Sequence, residues 1–548
     1  MQRARAIALA FVTCAPLLLA SAIAHADDFY VDPANGSASG DGSAANPWQT
    51  LEQVAAGGAL GSVIKAGDTV WLRSGYHGAP VFKGGDFTPP ITVAAAPGEK
   101  PTAATVAFKG AKGFTLRGLS ISPSHAPNST PGDIVLIDPS SARITVEDNE
   151  IFSVKDSSAW GANEWINEAS SGIFVRGQTC IARNNTITNV RFGISVDGSG
   201  AIVERNRVVN FSADGLRGLG DDGVFQYNIV KNVFVSDEDG DPNHDDGFQS
   251  WSVGPNGVGT GAVKHVVLRG NIFINREDPN QKLQNSMQGI GCFDGFFEGW
   301  IVENNVVITD HWHGISFYGM RHGRIVNNTV IDVNNDSPGP PWIMVTAHKD
   351  GTPSEDVVVR NNLSTDFQIE GTNITEDHNT KLTDLAAFFV DPGSFDLHLL
   401  PGAPAVDTGS ADMAPAVDIE GIPRPQGAGV DLGAYEWHEP DVGPVDGGTG
   451  GEGGSGGGGS VDGGAAGQGG SGGSATGGGG SGGSATGGSA DGGPGRQGTT
   501  DATTANDGCG CALERGGLPQ SLWVLVGLGA GALLRRRGRG KQRRGGRS

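Results

Sequence analysis

Short segments rich in isoleucine and valine recur along the middle of the chain, and each of them ends in asparagine. The closest repeats, Asn185 to Asn206, Asn206 to Asn228 and Asn305 to Asn328, are 21 to 23 residues apart. That length is typical of one coil of a solenoid, in which each coil buries its apolar side chains only against its neighbours. The segments cover residues 144–149, 181–185, 202–206, 224–228, 266–271, 301–305, 325–328 and 357–362.

A second kind of strand, which opens with glycine, lies between these segments. Its pattern is Gly-apolar-x-apolar or a close variant. Asparagine at a strand end suits a left-handed turn, because its side chain can satisfy local backbone groups, and stacked asparagines can form a hydrogen-bonded ladder. A β-sandwich would instead show hairpin turns every 8–12 residues or so. We therefore predict an all-β parallel β-helix, with glycine-led strands starting at Gly172, Gly193, Gly215, Gly247, Gly289 and Gly314.

The opening of the chain predicts a cap for this solenoid. Leu51, Val54 and Ala55 have helical spacing and predict a short amphipathic helix over residues 49–56, followed by strands near 67–72 and 91–98. This arrangement resembles the N-terminal cap of exported right-handed parallel β-helix proteins, the pectate-lyase-like group. The resemblance implies one solenoid domain over residues 27–438, with its cap at 27–100.

The solenoid pattern stops after Asn362, and a different set of motifs closes the domain. Residues 388–392, 395–399, 401–407, 421–425 and 430–436 carry it. They resemble the terminal segment of exported β-helix proteins described as carrying a "choice of anchor" module. The resemblance implies a C-terminal capping segment at about 385–438, joined to a signal for attachment to a surface.

Both ends of the chain predict export. Residues 1–26 combine Arg3 and Arg5, an apolar run and Ala-His-Ala, the pattern of a cleaved signal peptide. Residues 439–506 are a low-complexity Gly/Ser-rich linker. Residues 507–548 hold Cys509-Gly-Cys, an apolar span at 518–534 and an arginine cluster, and resemble the myxobacterial-type C-terminal sorting signal. We expect display on the cell surface, through sorting machinery or a lasting membrane span.

Charge narrows the choice of partner. The net charge is −22, and the basic residues of the last 14 positions leave the exported body more acidic still. An acidic body does not suit nucleic acid. It does suit Ca²⁺, which prefers oxygen ligands, and a metal or local basic residues would be needed to hold an anionic polysaccharide.

Polar residues surround the glycine of three coils at the same offset. Asp214, Asp246 and His313 each precede a glycine, and Arg217, Gln249 and Ser316 each follow it by two positions. If the coils stack, these residues form a strip on the surface of the solenoid. Substrate-binding residues on this strip are expected to be Gln249, Trp251, Gln288, Phe293, Ser316 and Tyr318, with the three aromatic rings exposed for stacking on sugars.

The first hypothesis for the function of this strip is calcium-assisted β-elimination on an acidic polysaccharide. Six acids between 237 and 246, with an acidic pair one coil earlier, predict a Ca²⁺ site. The metal or an arginine would neutralise the uronate carboxylate, and a base would remove the adjacent proton. The paired Asp with a following Lys is similar to calcium-dependent β-helix pectate lyases. The predicted metal ligands are Asp214, Asp221, Asp222, Asp245 and Asp246, and the candidate bases are Arg217, Lys264 and His313.

Two other classes of function stay open. The order Asp214-Gly, Asp245-Asp246, His313-Gly and Arg324-Ile resembles the motifs of inverting β-helix polygalacturonases, which implies a hydrolase or an epimerase of uronate polymers. The match departs from the family at the Asn-Thr, at the glycine before His and at the final Lys, where Val326 stands. A solenoid can also bind glycans along its length without any chemistry.

Overall fold

The computed structural model describes residues 26–128, 130–235, 245–334 and 337–439. The expected signal peptide up to residue 25, the linker from 440 onwards and the C-terminal sorting signal lie outside these ranges. Within them, no helix combines the length and apolar character needed to cross a membrane.

Three long parallel sheets run side by side along the domain, and most coils add one strand to each of them. In every sheet the strand order follows the chain order, as expected for a β-helix and not for a sandwich of hairpins. The first sheet contains Asp28–Val31, Thr69–Leu72, Asp86–Ala95, Lys112–Arg117, Ala142–Glu147, Ile181–Arg183, Ile202–Glu204, Val224–Gln226, Val267–Arg269, Ile301–Glu303, Arg324–Val326, Val358–Arg360 and Thr375–Asp377.

The second sheet, which we call the site sheet, carries the glycine-led strands. It contains Val81–Lys83, Val106–Lys109, Asp133–Ile137, Ser171–Val175, Ile194–Val196, Leu216–Gly218, Asp246–Trp251, Gln288–Asp294, His313–Tyr318, Trp342–Thr346 and Asp366–Ile369. The third sheet contains Gly75–Tyr76, Pro101–Ala103, Ser120–Ile121, Glu150–Phe152, Thr186–Val190, Arg207–Phe211, Ile229–Val233, Ile272–Ile274, Val306–Ile308, Thr329–Ile331, Leu363–Ser364 and Thr380–Lys381.

Shorter elements sit at the corners and ends of the solenoid. A six-residue helix, Leu51–Ala56, buries Leu51 and Val54, and the Thr50 side chain caps its first turn. The remaining elements are a helix at Ala162–Asn167, a three-stranded parallel sheet of Ala262–Lys264, Phe296–Glu298 and Met320–Arg321, the antiparallel pairs Val253–Gly254 with Gly257–Val258 and Phe389–Asp391 with Asp396–Leu399, and 3-10 turns at Pro123–His125, Leu385–Ala387 and Pro392–Ser394.

The apolar residues of all three sheets meet in one continuous interior. Side chains alternate along each strand, so every second residue of a coil points inward and stacks on its equivalent in the next coil. Beneath the predicted site, Phe248, Phe297, Trp300 and Phe317 pack edge to face at ring separations of 5.4 to 6.2 Å. Burial of each such side chain stabilises the fold by about 1.5–3 kcal/mol. The strands of the predicted site therefore lie on a well-packed core.

The recurrent asparagines form a buried ladder parallel to the axis. In the middle of it, Asn206 donates from both its backbone N and its Nδ2 to Asn228 Oδ1, and Asn228 does the same to Asn271 Oδ1, at 2.9 to 3.1 Å. Each Nδ2 also donates to a strand carbonyl, as Asn228 does to Val203. The ladder runs through Asn149, Asn185, Asn206, Asn228, Asn271, Asn305, Asn328, Asn362 and Asn379.

The left-handed turn at these strand ends lies one residue earlier than the sequence pattern suggests. The ladder asparagines themselves are not among the residues with positive φ, whereas Asn184, Arg205 and Tyr227, which precede three of them, have φ between 54° and 57°. The turn therefore uses the preceding residue, and it aims the next side chain into the interior. The expectation that the ladder asparagines take the left-handed conformation is wrong, and their role is hydrogen bonding.

The segment 385–438 lies against the outer face of the third sheet in its last coils. Apolar residues of this segment, including Phe389, Leu397 and Leu432, pack with the outward-facing Ile308 and Ile331. A buried ion pair, Arg424 with Glu436 at 2.8 Å, and backbone contacts to the asparagine turns hold it in place. This segment covers the outer face of the third sheet in the last coils, where apolar side chains such as Ile308 and Ile331 would otherwise be exposed to water.

Candidate functional site

A break in side-chain alternation at each glycine creates the site. A Cβ on Gly215 would overlap the core side chain of Val230, and a Cβ on Gly247 would lie 2.6 Å from the ring of Phe273. The next residue in each strand, Leu216 or Phe248, also points into the core. Two consecutive residues therefore face inward, and the residues on either side of this pair both face outward. Only glycine fits, because the core has no room for a second side chain at this point.

The outward residues then bond to each other within each coil, three positions apart. Arg217 Nε donates to Asp214 in a close ion pair. Gln249 Nε2 donates to Asp246 Oδ2 at 2.9 Å. Ser316 Oγ lies 2.9 Å from His313 Nδ1.

Coil stacking places these pairs above one another on the site sheet. Arg217 is opposite Gln249, and Asp246 is opposite Gln288. Asp246 also donates its backbone N–H to Asp214 Oδ1 at 3.1 Å. We call the set Asp214, Asp246, Gln288 and His313 the acid column. The structure thus brings Asp214, Asp246 and His313 together on the site sheet, as the offset in the sequence predicts, and all three side chains are buried there.

Asp246 is a completely buried carboxyl group of the acid column. Its exposed fraction is 0%. Burial raises the pKa of Asp246 well above its usual range, and the negative charges of Asp214 and Asp245 raise it further, against smaller opposing effects of Gln249 and Arg217. Its Oδ1 has no hydrogen-bond partner within the described part of the chain. The protonated form of Asp246 is therefore favoured next to the ion-paired Asp214, and its Oδ1 remains for another donor or acceptor.

Gly291 makes room for the Asp246 carboxyl group. This glycine lies on the next coil, and a Cβ on it would overlap Asp246 Oδ1 and come within 2.7 Å of the ring of Phe293. Its backbone is not in the left-handed region. The need for glycine here is purely one of space, so the small residue and the carboxyl group form a matched pair.

Aromatic rings line the column on both sides. The Arg217 guanidinium lies 4.0 Å from the ring centre of Phe192 and 5.0 Å from that of Trp251, so it is held between two rings. The ring of Phe293 meets those of His313 and Tyr318 edge to face, at 4.8 and 5.3 Å. Phe293 is only 5% exposed. The expectation of three exposed rings is therefore wrong for Phe293, which covers the column, whereas Trp251 and Tyr318 are half-exposed.

Three of the predicted residues lie away from the acid column. Asp221 and Asp222 follow the site-sheet strand Leu216–Gly218, at the corner that leads to the first sheet, whereas Asp214 precedes that strand. Lys264 belongs to the corner sheet, where its Nζ pairs with Glu298 at 3.0 Å and its backbone N donates to Asp221 Oδ1. Asp222 pairs with His265. The structure does not support Lys264 as a base or Asp221 and Asp222 as ligands of a metal at the column.

The structure leaves the predicted calcium site untested. Asp214 is bound by Arg217, Asp246 Oδ2 accepts from Gln249, and no group of three or more His, Cys, Asp or Glu residues in the described ranges could hold a metal ion. Asp245 is half-buried beside Asp246, and its carbonyl accepts from Gln288. The other acids of the expected site lie within 236–244, outside the described residues. Calcium binding therefore stays a prediction that rests on that segment.

Two site residues escape the sequence pattern. Trp342 opens its strand without the glycine of the other coils, directly after the proline-rich residues 337–341. Its Nε1 lies 3.3 Å from His313 Nδ1 and 3.2 Å from Ser316 Oγ. Phe192 occupies the column position before Gly193, but it is apolar, whereas Asp214, Asp246 and His313 at the same offset are polar. Phe192 belongs to the site because its ring contacts the Arg217 guanidinium.

Comparison with known proteins supports the class of fold. A family model described as "Right handed beta helix region" matches residues 171–384. Together with the three stacked parallel sheets, this match defines the domain as a right-handed parallel β-helix. Among curated protein sequences, none matches this chain.

Several solved structures are similar to this chain at low sequence identity. One is pectate lyase Pel9A, with 14% identity over 76% of this chain and 98% of that one, and a TM-score of 0.38. Another is a rhamnogalacturonan lyase, with 13% identity, coverage of 66% and 90%, and a TM-score of 0.36. A third is the A-module of the Azotobacter vinelandii mannuronan C-5 epimerase AlgE6, with 12% identity, coverage of 61% and 94%, and a TM-score of 0.39. At these identities the likeness concerns the fold alone.

Proposed function

We propose that the protein is a carbohydrate-active enzyme that cleaves a polysaccharide by hydrolysis over the acid column. One observation carries the proposal, namely that Asp246, whose pKa is raised, lies buried beside the ion-paired Asp214. Hydrolysis of a glycosidic bond needs one carboxylic acid to protonate the leaving oxygen and one carboxylate to act on the other side of the reaction. Asp246 fits the first role because burial and like charge raise its pKa and so favour the protonated form. Asp214 fits the second.

A sugar polymer suits the surface around these carboxyl groups. Trp251, Tyr318 and Trp342 are half-exposed on three of four consecutive coils, and each presents an apolar ring next to hydrogen-bonding side chains. Pyranose rings have apolar faces and polar edges, so they match such a lining. Consecutive parallel strands lie about 4.8 Å apart, so a chain of sugars running along the axis would meet several coils.

β-Elimination on a uronate polymer is the second candidate, and the position of Arg217 favours it. The guanidinium is held between Phe192 and Trp251 and is little exposed, so it could neutralise a substrate carboxylate in a partly dry setting. Calcium bound by residues 237–245 would supply the same neutralisation. With Lys264 at the corner sheet, Arg217 and His313 remain as the candidate bases of this reaction.

Product analysis separates the candidates. The full chain is incubated with polygalacturonate, alginate and glycosaminoglycans, with and without a chelator. Hydrolysis predicts new reducing ends without ultraviolet absorbance, and the rate should not depend on the chelator. New reducing ends together with a rising absorbance would establish elimination instead, and loss of that signal with chelator would establish the role of calcium. Binding without either product would make the protein a glycan-binding protein and would refute cleavage.

Phe293 should control the pH range of hydrolysis. Its ring and the Asp246 carboxyl group border the same space beside Gly291, so Phe293→Ala is expected to admit water and lower the pKa of Asp246. A general acid works only while it is protonated, so activity would then be lost at a lower pH than in the wild type. Rate–pH profiles of the two proteins test this. Phe293→Leu keeps an apolar cover and should leave the alkaline limb in place; an equal shift in both variants would contradict the covering role.

Export and surface display also belong to the proposal. Residues 1–26 are proposed to be removed, and residues 507–548 to direct sorting, with the linker 439–506 holding the β-helix away from the surface. N-terminal sequencing of the protein from intact cells, and its release by external protease, would test this. A protein that keeps residues 1–26 and resists protease would argue against display.

A further inference from the structure

The hydrogen bonds around His313 determine which of its ring nitrogens carries the proton. Trp342 Nε1 lies 3.3 Å from His313 Nδ1 and 3.2 Å from Ser316 Oγ, and Ser316 Oγ lies 2.9 Å from the same Nδ1. An indole N–H can only donate. A proton on His313 Nδ1 could be donated only to Ser316 Oγ, and the contact between Nδ1 and Trp342 Nε1 would then bring two N–H groups together. The arrangement without conflict has an unprotonated Nδ1 that accepts, and a ring proton on Nε2.

We propose that Trp342 is a positioning residue that holds His313 as the Nε2–H tautomer, so that His313 meets the substrate as a hydrogen-bond donor. The inference rests on the proposed function, because it assumes that a sugar chain lies over the acid column. Nε2–H would then donate to a sugar hydroxyl or to a uronate carboxylate oxygen, both of which accept hydrogen bonds. It also removes His313 from the candidate bases at this position, since the nitrogen turned away from Trp342 already carries a proton.

Packing keeps the His313 ring from turning over. The ring is part of a side chain that is 9% exposed, and it meets Phe293 edge to face at 4.8 Å and Trp342 at 5.4 Å. His311 stacks on its remaining face at 5.4 Å, and His311 Nδ1 accepts from the backbone N of His313. A flipped ring would put Cδ2 in the place of Nδ1 and lose the contacts of Nδ1 with Ser316 and Trp342. The tautomer and the ring orientation therefore support each other.

Nitrogen NMR reads the tautomer directly. The full chain, labelled with ¹⁵N-histidine, gives ring signals from its 12 histidines, and the set that disappears in His313→Gln belongs to His313. We expect a pyridine-type Nδ1 and a pyrrole-type Nε2. Trp342→Phe keeps the ring but removes the indole N–H, and should shift these signals toward a mixture of tautomers and raise KM for the cleaved polysaccharide about tenfold.

Trp312→Phe is the matched control. Its ring lies parallel to that of Trp342 at 6.3 Å and is 37% exposed, so the same substitution is made without loss of the hydrogen bond to His313. Its histidine signals should not change. Ser316→Ala leaves Trp342 in place and should keep the Nε2–H tautomer. This variant tests the inference if Trp342→Phe does not fold. A pyrrole-type Nδ1 in the wild type, or a spectrum unaltered by Trp342→Phe, would overturn the inference.

The spectroscopic result is independent of catalysis. If the expected tautomer is found but no polysaccharide is cleaved, the proposed function fails while the role of Trp342 in setting the ring stands. If cleavage is found with the opposite tautomer, the inference fails while the proposed function stands.

Discussion

Asp246→Asn is expected to reduce cleavage by about 10²–10⁴-fold, the usual contribution of a general acid, while the protein becomes more resistant to unfolding at high pH. The amide keeps the shape of the carboxyl group and can still accept from Gln249, but it cannot deliver a proton. Initial rates on the cleaved polysaccharide measure the first effect. A variant with wild-type activity would remove Asp246 from the mechanism.

The stability part of this prediction follows from the raised pKa. In the folded protein Asp246 keeps its proton at pH values where the unfolded chain has already lost it. The contribution of this group is therefore fully present below the unfolded pKa, near 3.8, and is lost as pH rises through the folded pKa. Asparagine does not titrate, so the difference in melting temperature in favour of Asp246→Asn should widen with rising pH.

Asp214→Asn provides the control of opposite sign. It removes the carboxylate that pairs with Arg217, so an arginine that is less than one-fifth exposed loses its counter-charge. Loss of one partner of a buried pair is destabilising. We therefore expect a lower melting temperature for Asp214→Asn across the neutral range. If both variants moved the melting temperature in the same direction at high pH, the assignment of proton and charge between the two carboxyl groups would be wrong.

Asn228→Ala should destabilise the solenoid by about 3 kcal/mol or more. The substitution removes the acceptor for the backbone N and Nδ2 of Asn206 and the donor to the carbonyl of Val203. Each buried polar group left without a partner costs about 1–3 kcal/mol, and Asn228 is 0% exposed, so water does not replace it. Urea unfolding of the full chain measures the change in the free energy of unfolding.

The end of the ladder offers the matched control. Asn379 accepts from Asn362 in the same way but is only partly buried, and no further ladder residue follows it. Asn379→Ala should therefore cost clearly less than Asn228→Ala, because water can reach the groups that it leaves. Equal losses at the two positions would mean that the ladder does not owe its strength to burial.

The sequence by itself was sufficient for the architecture. A repeat of 21 to 23 residues with Ile/Val strands leaves each coil unable to bury its apolar face alone, so stacking is the physical outcome. The same stacking brings residues at equal offsets together, which is why Asp214, Asp246 and His313 could be placed on one surface in advance. The Asn ladder was foreseeable for the same reason, since identical side chains at identical offsets meet in neighbouring coils.

The tertiary structure alone decided two kinds of feature. One is how side chains of neighbouring coils fit together, and the other is where the chain turns from one sheet to the next. The repeat does not say that Gly291 leaves room for Asp246, that Phe293 covers the column, or that Trp342 reaches His313 from a coil without the motif. The repeat also does not show that the chain turns a corner before Lys264. Its position in the sequence suggested the site sheet, whereas the structure places it in the corner sheet. Offsets along a strand are set by local backbone geometry, but burial, the pKa of Asp246 and the tautomer of His313 depend on which side chains arrive from other coils.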